Sequence, residues 1–238
     1  MTSYADLLVD GTRKLAASSS PRLDAEVLLR HVAGLDRAGL LVALRDPAPD
    51  EVRDRFDALV ARRAAGTPVA YLTGTREFMG LAFSIDDQVL VPRPETELLV
   101  EWALALLERF KERPVRVVDV GAGSGAIAVS LAALASDPVD VIAVEPSAGA
   151  RAVIERNRDA LLSWERRSRF RIVDNDLLTG MTGPFALVLA NLPYLTPGQI
   201  AENPDLAAEP RMALDGGDDG LDLVRRLVAQ LPDRLADS

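Results

Sequence analysis

Four residues, Asn191-Leu192-Pro193-Tyr194, follow directly on the apolar run 185–190. An amide, a proline and an aromatic make an unusual ending for a buried strand. The Asn191 side chain carries an acceptor oxygen, the Leu192 backbone carbonyl is a second acceptor, and Tyr194 offers a ring face to pack on. Such a set suits a flat, weakly nucleophilic nitrogen whose two N–H groups are held while the nitrogen itself faces an electrophile. The cradle is useful only beside a bound electrophile, and candidates for holding one lie upstream.

Gly121-Ala122-Gly123-Ser124-Gly125 stands between a β-branched run, residues 115–120, and a segment rich in Ala, Ile, Val and Leu. Strand, glycine turn and helix in that order let a ligand approach the backbone, with the helix N-terminus pointing at it. A second β-branched run, residues 139–144, ends in Glu145, about 20 residues after the glycines, where a carboxylate can take both hydroxyls of a ribose. A nucleoside-containing cofactor is therefore expected. The third glycine of a dinucleotide fingerprint is replaced by Ala126, while Gly121, Gly123 and Gly125 alternate behind Asp119. That alternation resembles the first motif of S-adenosylmethionine-dependent methyltransferases. Asp176-Leu177, after a third strand over 170–174, then stands where such enzymes hold the adenine, and residues 185–190 form the fourth strand.

The elements that must position these residues are legible from periodicity. Tyr4, Leu7, Leu8, Gly11 and Leu15 recur at helical spacing. Ser20 and Pro21 form an N-cap and first helical position, with Leu23, Val27, Leu28 and His31 on one face and Gly34 as the stop. Residues 35–44 and 50–65 continue the pattern, so residues 1–68 are expected to be a small helical bundle, which serves stability alone or docks a protein substrate; the pattern leaves both open, and substrate docking is the assignment taken. Residues 69–92 read as a β-hairpin linker, with residues 69–72 and 81–85 as its extended segments. Pro94 and the acidic Glu95 and Glu97 then open a helix. Residues 93–238 form the domain that carries the glycine turn.

Bulk properties narrow the function classes. With 238 residues and 48% hydrophobic content the chain can bury a substantial core. There is no cysteine and one histidine, His31, which is assigned no chemistry, so no metal site is expected. A net charge of -9 argues against broad binding to a nucleic-acid backbone and favours a protein or small-molecule partner. No apolar run reaches membrane-spanning length and residues 1–10 lack the pattern of a secretory signal, so a cytoplasmic location and no membrane partner are expected; a monomer is the expected state.

Several motifs coincide in one order: Tyr71-Leu72-Thr73-Gly74, Val91-Pro92-Arg93-Pro94-Glu95-Thr96-Glu97, Asp119 through the glycines to Ala128, Asn191-Leu192-Pro193-Tyr194, and Glu209-Pro210 with Ala213-Leu214 and Gly216-Gly217. Together they resemble the HemK/PrmC release-factor glutamine methyltransferases. The resemblance implies a helical bundle and a hairpin before a Rossmann-like class I methyltransferase sheet. It implies methyl transfer from S-adenosylmethionine to the side-chain amide nitrogen of the glutamine in the Gly-Gly-Gln motif of bacterial class 1 release factors. Gly121, Ala122, Gly123, Ser124, Gly125 and Glu145 would hold the methionine and ribose parts, Asp176 and Leu177 the adenine, with Asn191 also facing the cofactor. Asn191, Leu192, Pro193 and Tyr194 would bind the glutamine, and Asn191, Pro193 and Tyr194 would be catalytic.

Two departures from the family pattern bear on this. The usual tetrad is Asn-Pro-Pro-Tyr, and Leu192 replaces its second residue, which predicts a less rigid loop. Asn-Leu-Pro-Tyr is also similar to the tetrad of ribosomal-RNA adenine dimethyltransferases, so a nucleic-acid adenine amino group, or a glutamine of a ribosomal protein, is an alternative acceptor. The acidic balance, the leader and the Arg93 to Glu97 loop favour a glutamine over an adenine base. Finally, four parallel strands can be read where the resemblance implies seven. The sheet is expected to lack its last strands, on the order of 40 to 50 residues, leaving the fourth strand exposed at one edge.

Overall fold

The computed structural model describes residues 2–110, 114–232 and 234–236. The chain divides into two compact units, Met1–Gly74 and Thr75–Ser238. The first contains α1 (Tyr4–Lys14), α2 (Pro21–Ala33), α3 (Arg37–Ala43), α4 (Asp50–Ala64) and α5 (Val69–Thr73). A capping box opens α1: Ser3 Oγ accepts from the Asp6 N–H at 3.2 Å, and Asp6 Oδ2 accepts from the Ser3 N–H at 2.9 Å. Gly34 closes α2 in the left-handed conformation. The core of this unit is built on Leu7, Leu8, Leu15, Leu28, Leu29, Phe56 and Val60.

Two expectations for this unit are corrected. The buried face of α2 is Asp24, Ala25, Leu28, Leu29 and Val32, while Leu23 is 56% exposed and His31 lies outside. The displacement follows from Asp24, an acid that periodicity counts as a surface residue. Its carboxylate is buried because Ser18 Oγ (2.6 Å), Ser20 Oγ (2.9 Å) and Arg63 Nε (2.7 Å) all donate to it. Ser20 consequently makes no side-chain cap on α2. Residues 69–72 are helical, within α5, and not extended. Ala70 and Leu72 are buried and Gly74 ends the turn at φ +73°. Short apolar runs do not declare their period, and here burial chose the helix.

The second unit opens with a hairpin, β1 (Thr75–Phe78) and β2 (Leu81–Ser84), joined by Met79 and Gly80 at φ +53° and +72°. Positive φ at both turn positions matches the right-handed twist of the paired strands. A 3₁₀ turn, Pro94–Thr96, leads into α6 (Glu97–Leu107). Then follow β3 (Val115–Val120), α7 (Ala126–Leu134), β4 (Val139–Val144), α8 (Ala148–Leu161), α9 (Trp164–Arg167), β5 (Phe170–Val173), β6 (Leu187–Ala190), α10 (Pro197–Glu202) and α11 (Asp222–Gln230).

The last four strands make one parallel sheet in the order β5-β4-β3-β6. Buried on both faces, β3 and β4 are nearly continuous valine and isoleucine runs. β3 registers Val120 against Val144 on one side and against Ala190 on the other. The order reverses between β3 and β6, and in open sheets that reversal opens a crevice at the carboxyl ends of the strands. Among the described residues β6 has β3 as its one ladder partner. Before it, Phe185 forms an isolated parallel bridge with Leu235, with the Phe185 N–H donating to Arg234 O at 2.7 Å.

Candidate active site

The crevice is a cavity of about 480 Å³ at the carboxyl ends of β3, β4 and β6. One wall is the glycine turn. Gly121, Gly123 and Gly125 adopt φ of +74°, +55° and +79°, a region that costs a side-chain-bearing residue about 1–2 kcal/mol. Nothing lies within 4 Å of the position a Cβ would take on Gly123, so the turn presents open backbone. Gly125 does not line the cavity: it caps α7, and a Cβ there would press on Ile154 at 3.1 Å.

Glu145 follows directly on β4 and is buried beside the turn. Its Oε2 accepts from the Gly123 N–H at 2.8 Å and its Oε1 from the Ser147 N–H at 2.9 Å, so it ties the glycine turn to the start of α8. Each carboxylate oxygen keeps a further lone pair for a ligand hydroxyl. Beneath it, Asp119 Oδ2 accepts from the Ala128 N–H at 3.1 Å in the first turn of α7, while Oδ1 has no partner among the described residues. Burial pushes the Asp119 carboxyl up to about 7. The Ala128 N–H opposes that shift, and the negative charge of Glu145 adds to it.

A third wall carries Asn175, Asp176 and Leu177. Leu177 is held at φ +51°. Two amides brace this strained turn: Asn175 Nδ2 donates to the carbonyls of Leu177 (3.0 Å) and Thr179 (2.9 Å), and Gln230 Oε1 on α11 accepts from the Leu178 N–H at 2.7 Å. Asp176 is paired with Arg226 of the same helix. None of Asn175, Gln230 and Arg226 carries a sequence signal of its own.

The tetrad closes the cavity at the end of β6. Asn191, Leu192 and Pro193 line it, whereas Tyr194 faces a second cavity of about 490 Å³ and is 64% exposed. Asn191 and Leu192 border both cavities, together with Leu90, Arg93, Thr96 and Ala213. Leu192 is buried in the core of this unit with Val118, Val120 and Leu178, and its Cδ2 lies 3.0 Å from where a Gly121 Cβ would be. The looser loop expected from leucine in place of proline is thus countered by packing, with the side chain seated against the glycine turn.

Behind the tetrad runs a second glycine-rich loop. A Cβ on Gly216 would lie 2.7 Å from Pro193 O, and one on Gly220 2.2 Å from Tyr194 O. The Leu195 N–H donates to Leu214 O at 3.0 Å and the Gly216 N–H to Leu195 O at 2.8 Å. Glu209, whose side chain is buried, accepts from the Val91 N–H at 3.0 Å and pairs with Arg93. It couples this loop to the Arg93 to Glu97 loop. Gly123, Glu145, Asp176, Leu177, Asn191 and Leu192 are therefore gathered round one space, although they come from four separate connections.

An open glycine turn, a buried acid with spare acceptor capacity, a braced turn and an amide at the mouth fit a nucleoside-containing cofactor. Residues 6–74 match the family described as PrmC N-terminal domain and residues 102–210 that described as methyltransferase small domain. The release factor glutamine methyltransferase of Deinococcus radiodurans is 41% identical over 94% of this chain and 79% of its own length. That of Burkholderia pseudomallei is 43% identical over 90% and 76%, and that of Escherichia coli K12 is 37% identical over 95% and 80%. Among solved structures, the hMettl16 catalytic domain in complex with MAT2A 3'UTR hairpin 6 superposes with a TM-score of 0.53 at 18% identity, covering 74% of this chain and 65% of that one. That likeness establishes the class I methyltransferase fold. With the helical unit, the crevice at the β3/β6 reversal and the tetrad at its mouth all in place, the chain belongs to the release factor glutamine methyltransferase family.

Proposed function

We propose that the chain transfers a methyl group from S-adenosylmethionine to the side-chain amide nitrogen of the glutamine in the Gly-Gly-Gln motif of class 1 release factors. The observation that carries this reading is the place of Asn191 and Leu192, which border both cavities at once. In this assignment the larger cavity takes the cofactor and the second takes the acceptor side chain. Gly121 to Ser124 face the methionine part, Glu145 the ribose hydroxyls, and Asp176 with Leu177 the adenine, while Gly125 acts through the shape of the turn. S-adenosylmethionine would supply an electrophilic methyl group on a sulfonium.

An amide nitrogen is barely basic because its lone pair is delocalised, so a general base would find no easy proton to remove before transfer. Asn191 Oδ1 and the Leu192 carbonyl accept the two N–H groups of the acceptor and fix the nitrogen towards the cofactor side. The same two dipoles stabilise positive charge growing on that nitrogen, which is electrostatic preorganisation, and one N–H proton leaves to water after transfer to give the neutral methylamide. Pro193 stiffens the loop, and the exposed Tyr194 ring packs on the acceptor segment. The cytoplasm, where termination takes place, is the setting this reading assigns.

Incubation with methyl-labelled S-adenosylmethionine and either a purified class 1 release factor, ribosomal RNA or total ribosomal protein tests the assignment. Label on the release factor is expected. Label on RNA or ribosomal protein with none on the release factor would overturn it.

A further inference from the structure

Asn191 can serve as an acceptor only if its amide is turned with Oδ1 towards the substrate. A terminal amide rotates between two nearly isosteric orientations, and the wrong one presents an NH₂ group to the acceptor's own N–H groups. Nδ2 therefore needs a partner on the far side. Asn191 Nδ2 donates to Thr96 Oγ1 at 3.2 Å, and among the described residues nothing donates to Asn191 Oδ1. Thr96 is half-buried, ends the 3₁₀ turn Pro94–Thr96 and borders both cavities.

The backbone that carries this hydroxyl is itself held in place. The Thr96 N–H donates to Arg93 O at 3.0 Å, and Arg93 pairs with the buried Glu209, which also accepts from the Val91 N–H at 3.0 Å. On the next residue, Glu97 Oε1 accepts from the Met79 N–H at 2.7 Å. The short turn carrying Thr96 is thus fastened on both sides, to the loop behind the tetrad and to the hairpin turn. A hydroxyl can accept from an amide NH₂ or donate to its oxygen, so Thr96 anchors the Asn191 side chain, and the donating N–H groups of the acceptor favour the orientation with Nδ2 on Thr96 and Oδ1 left for them.

We infer that Thr96 is a positioning residue that anchors the Asn191 amide through Nδ2 and so keeps Oδ1 facing the acceptor nitrogen. This rests on the glutamine-transfer reading above. Thr96 touches no reacting atom in this role and acts only through Asn191. Removing its oxygen frees the amide to rotate, and the penalty falls on the transfer step while the cofactor cavity keeps its shape.

The test compares wild type, Thr96→Val, which is nearly isosteric, and Thr96→Ser, which keeps the hydroxyl. Single-turnover methylation of a release factor is measured beside S-adenosylmethionine affinity and thermal unfolding. Thr96→Val is expected to slow transfer about tenfold, the loss of one ordinary hydrogen bond's worth of positioning. Cofactor affinity and unfolding midpoint should stay within about twofold and a few degrees of wild type, and Thr96→Ser should recover most of the rate. Equal transfer rates for Val and wild type would overturn the inference while leaving the reading intact. So would a parallel loss of cofactor affinity, or a serine variant as slow as valine. A wild-type chain that methylates no release factor would remove the reading and the inference together.

Discussion

Asp119 offers a quantitative test of how the cofactor side is built. Its carboxyl stands at about 7 against an ordinary 3.8, chiefly because it is fully buried with one oxygen unpartnered. A raised carboxyl holds a proton in the native state that the unfolded chain has already released. Stability from this group therefore falls as pH rises from about 4 to about 7 and levels off above that. The full difference of about three pH units corresponds to about 4 kcal/mol, of which somewhat more than half is expressed between roughly pH 5 and pH 8. Asp119→Asn keeps an oxygen for the Ala128 N–H and removes the titration. Urea unfolding of both proteins across that range, free of cofactor, gives the difference profile, in which all other titrating groups cancel. The Asn variant should gain on wild type by about 2 to 3 kcal/mol as pH rises. Parallel profiles, or a gain below about 1 kcal/mol, would refute the assignment of a protonated, desolvated Asp119.

Three further outcomes are expected. Gly121→Ala should destabilise the chain by about 1–2 kcal/mol through its positive φ and weaken S-adenosylmethionine binding by pushing on Leu192, as read by urea unfolding and calorimetric titration; unchanged affinity would contradict the contact. Asn157 is fully buried on α8, accepting from the Ser84 N–H at 2.7 Å and donating to the carbonyls of Ser84 at 3.1 Å and Ser124 at 2.9 Å. Its replacement by Leu should cost about 3 kcal/mol or more in unfolding free energy, because β2 and the glycine turn lose a shared anchor; a loss under about 1 kcal/mol would rule out that anchoring. Asn191→Ala should lower turnover on the order of 100-fold with cofactor affinity little changed; impaired cofactor binding with normal turnover at saturation would place Asn191 in the wrong role.

The path from β3 through the glycine turn to Glu145 was legible in the sequence for physical reasons. Parallel strands buried on both faces must be β-branched runs, and a turn at three positive φ values must be glycine. The tetrad was legible because an amide and a proline after a buried strand have few structural uses. What stayed hidden depends on distant partners. Asp24 looks like a surface acid until Ser18, Ser20 and Arg63 converge on it, which shifts the buried face of α2. Residues 69–72 carry no period of their own, so burial of Ala70 and Leu72 set their conformation. Thr96 meets Asn191 across 95 residues of sequence and Glu209 meets Val91 across 118, distances over which spacing says nothing about contact. Leu177 gives no hint of its left-handed turn, because the strain is carried by Asn175 and Gln230.

The most direct measurement is peptide mapping by tandem mass spectrometry of a class 1 release factor after incubation with the chain and S-adenosylmethionine. One added methyl group is expected on the glutamine side chain of the Gly-Gly-Gln motif, appearing on the order of 100-fold more slowly when Asn191 is replaced by Ala under the same single-turnover conditions. A methyl group on another residue, or on that glutamine at equal rate in the Asn191→Ala variant, would contradict it.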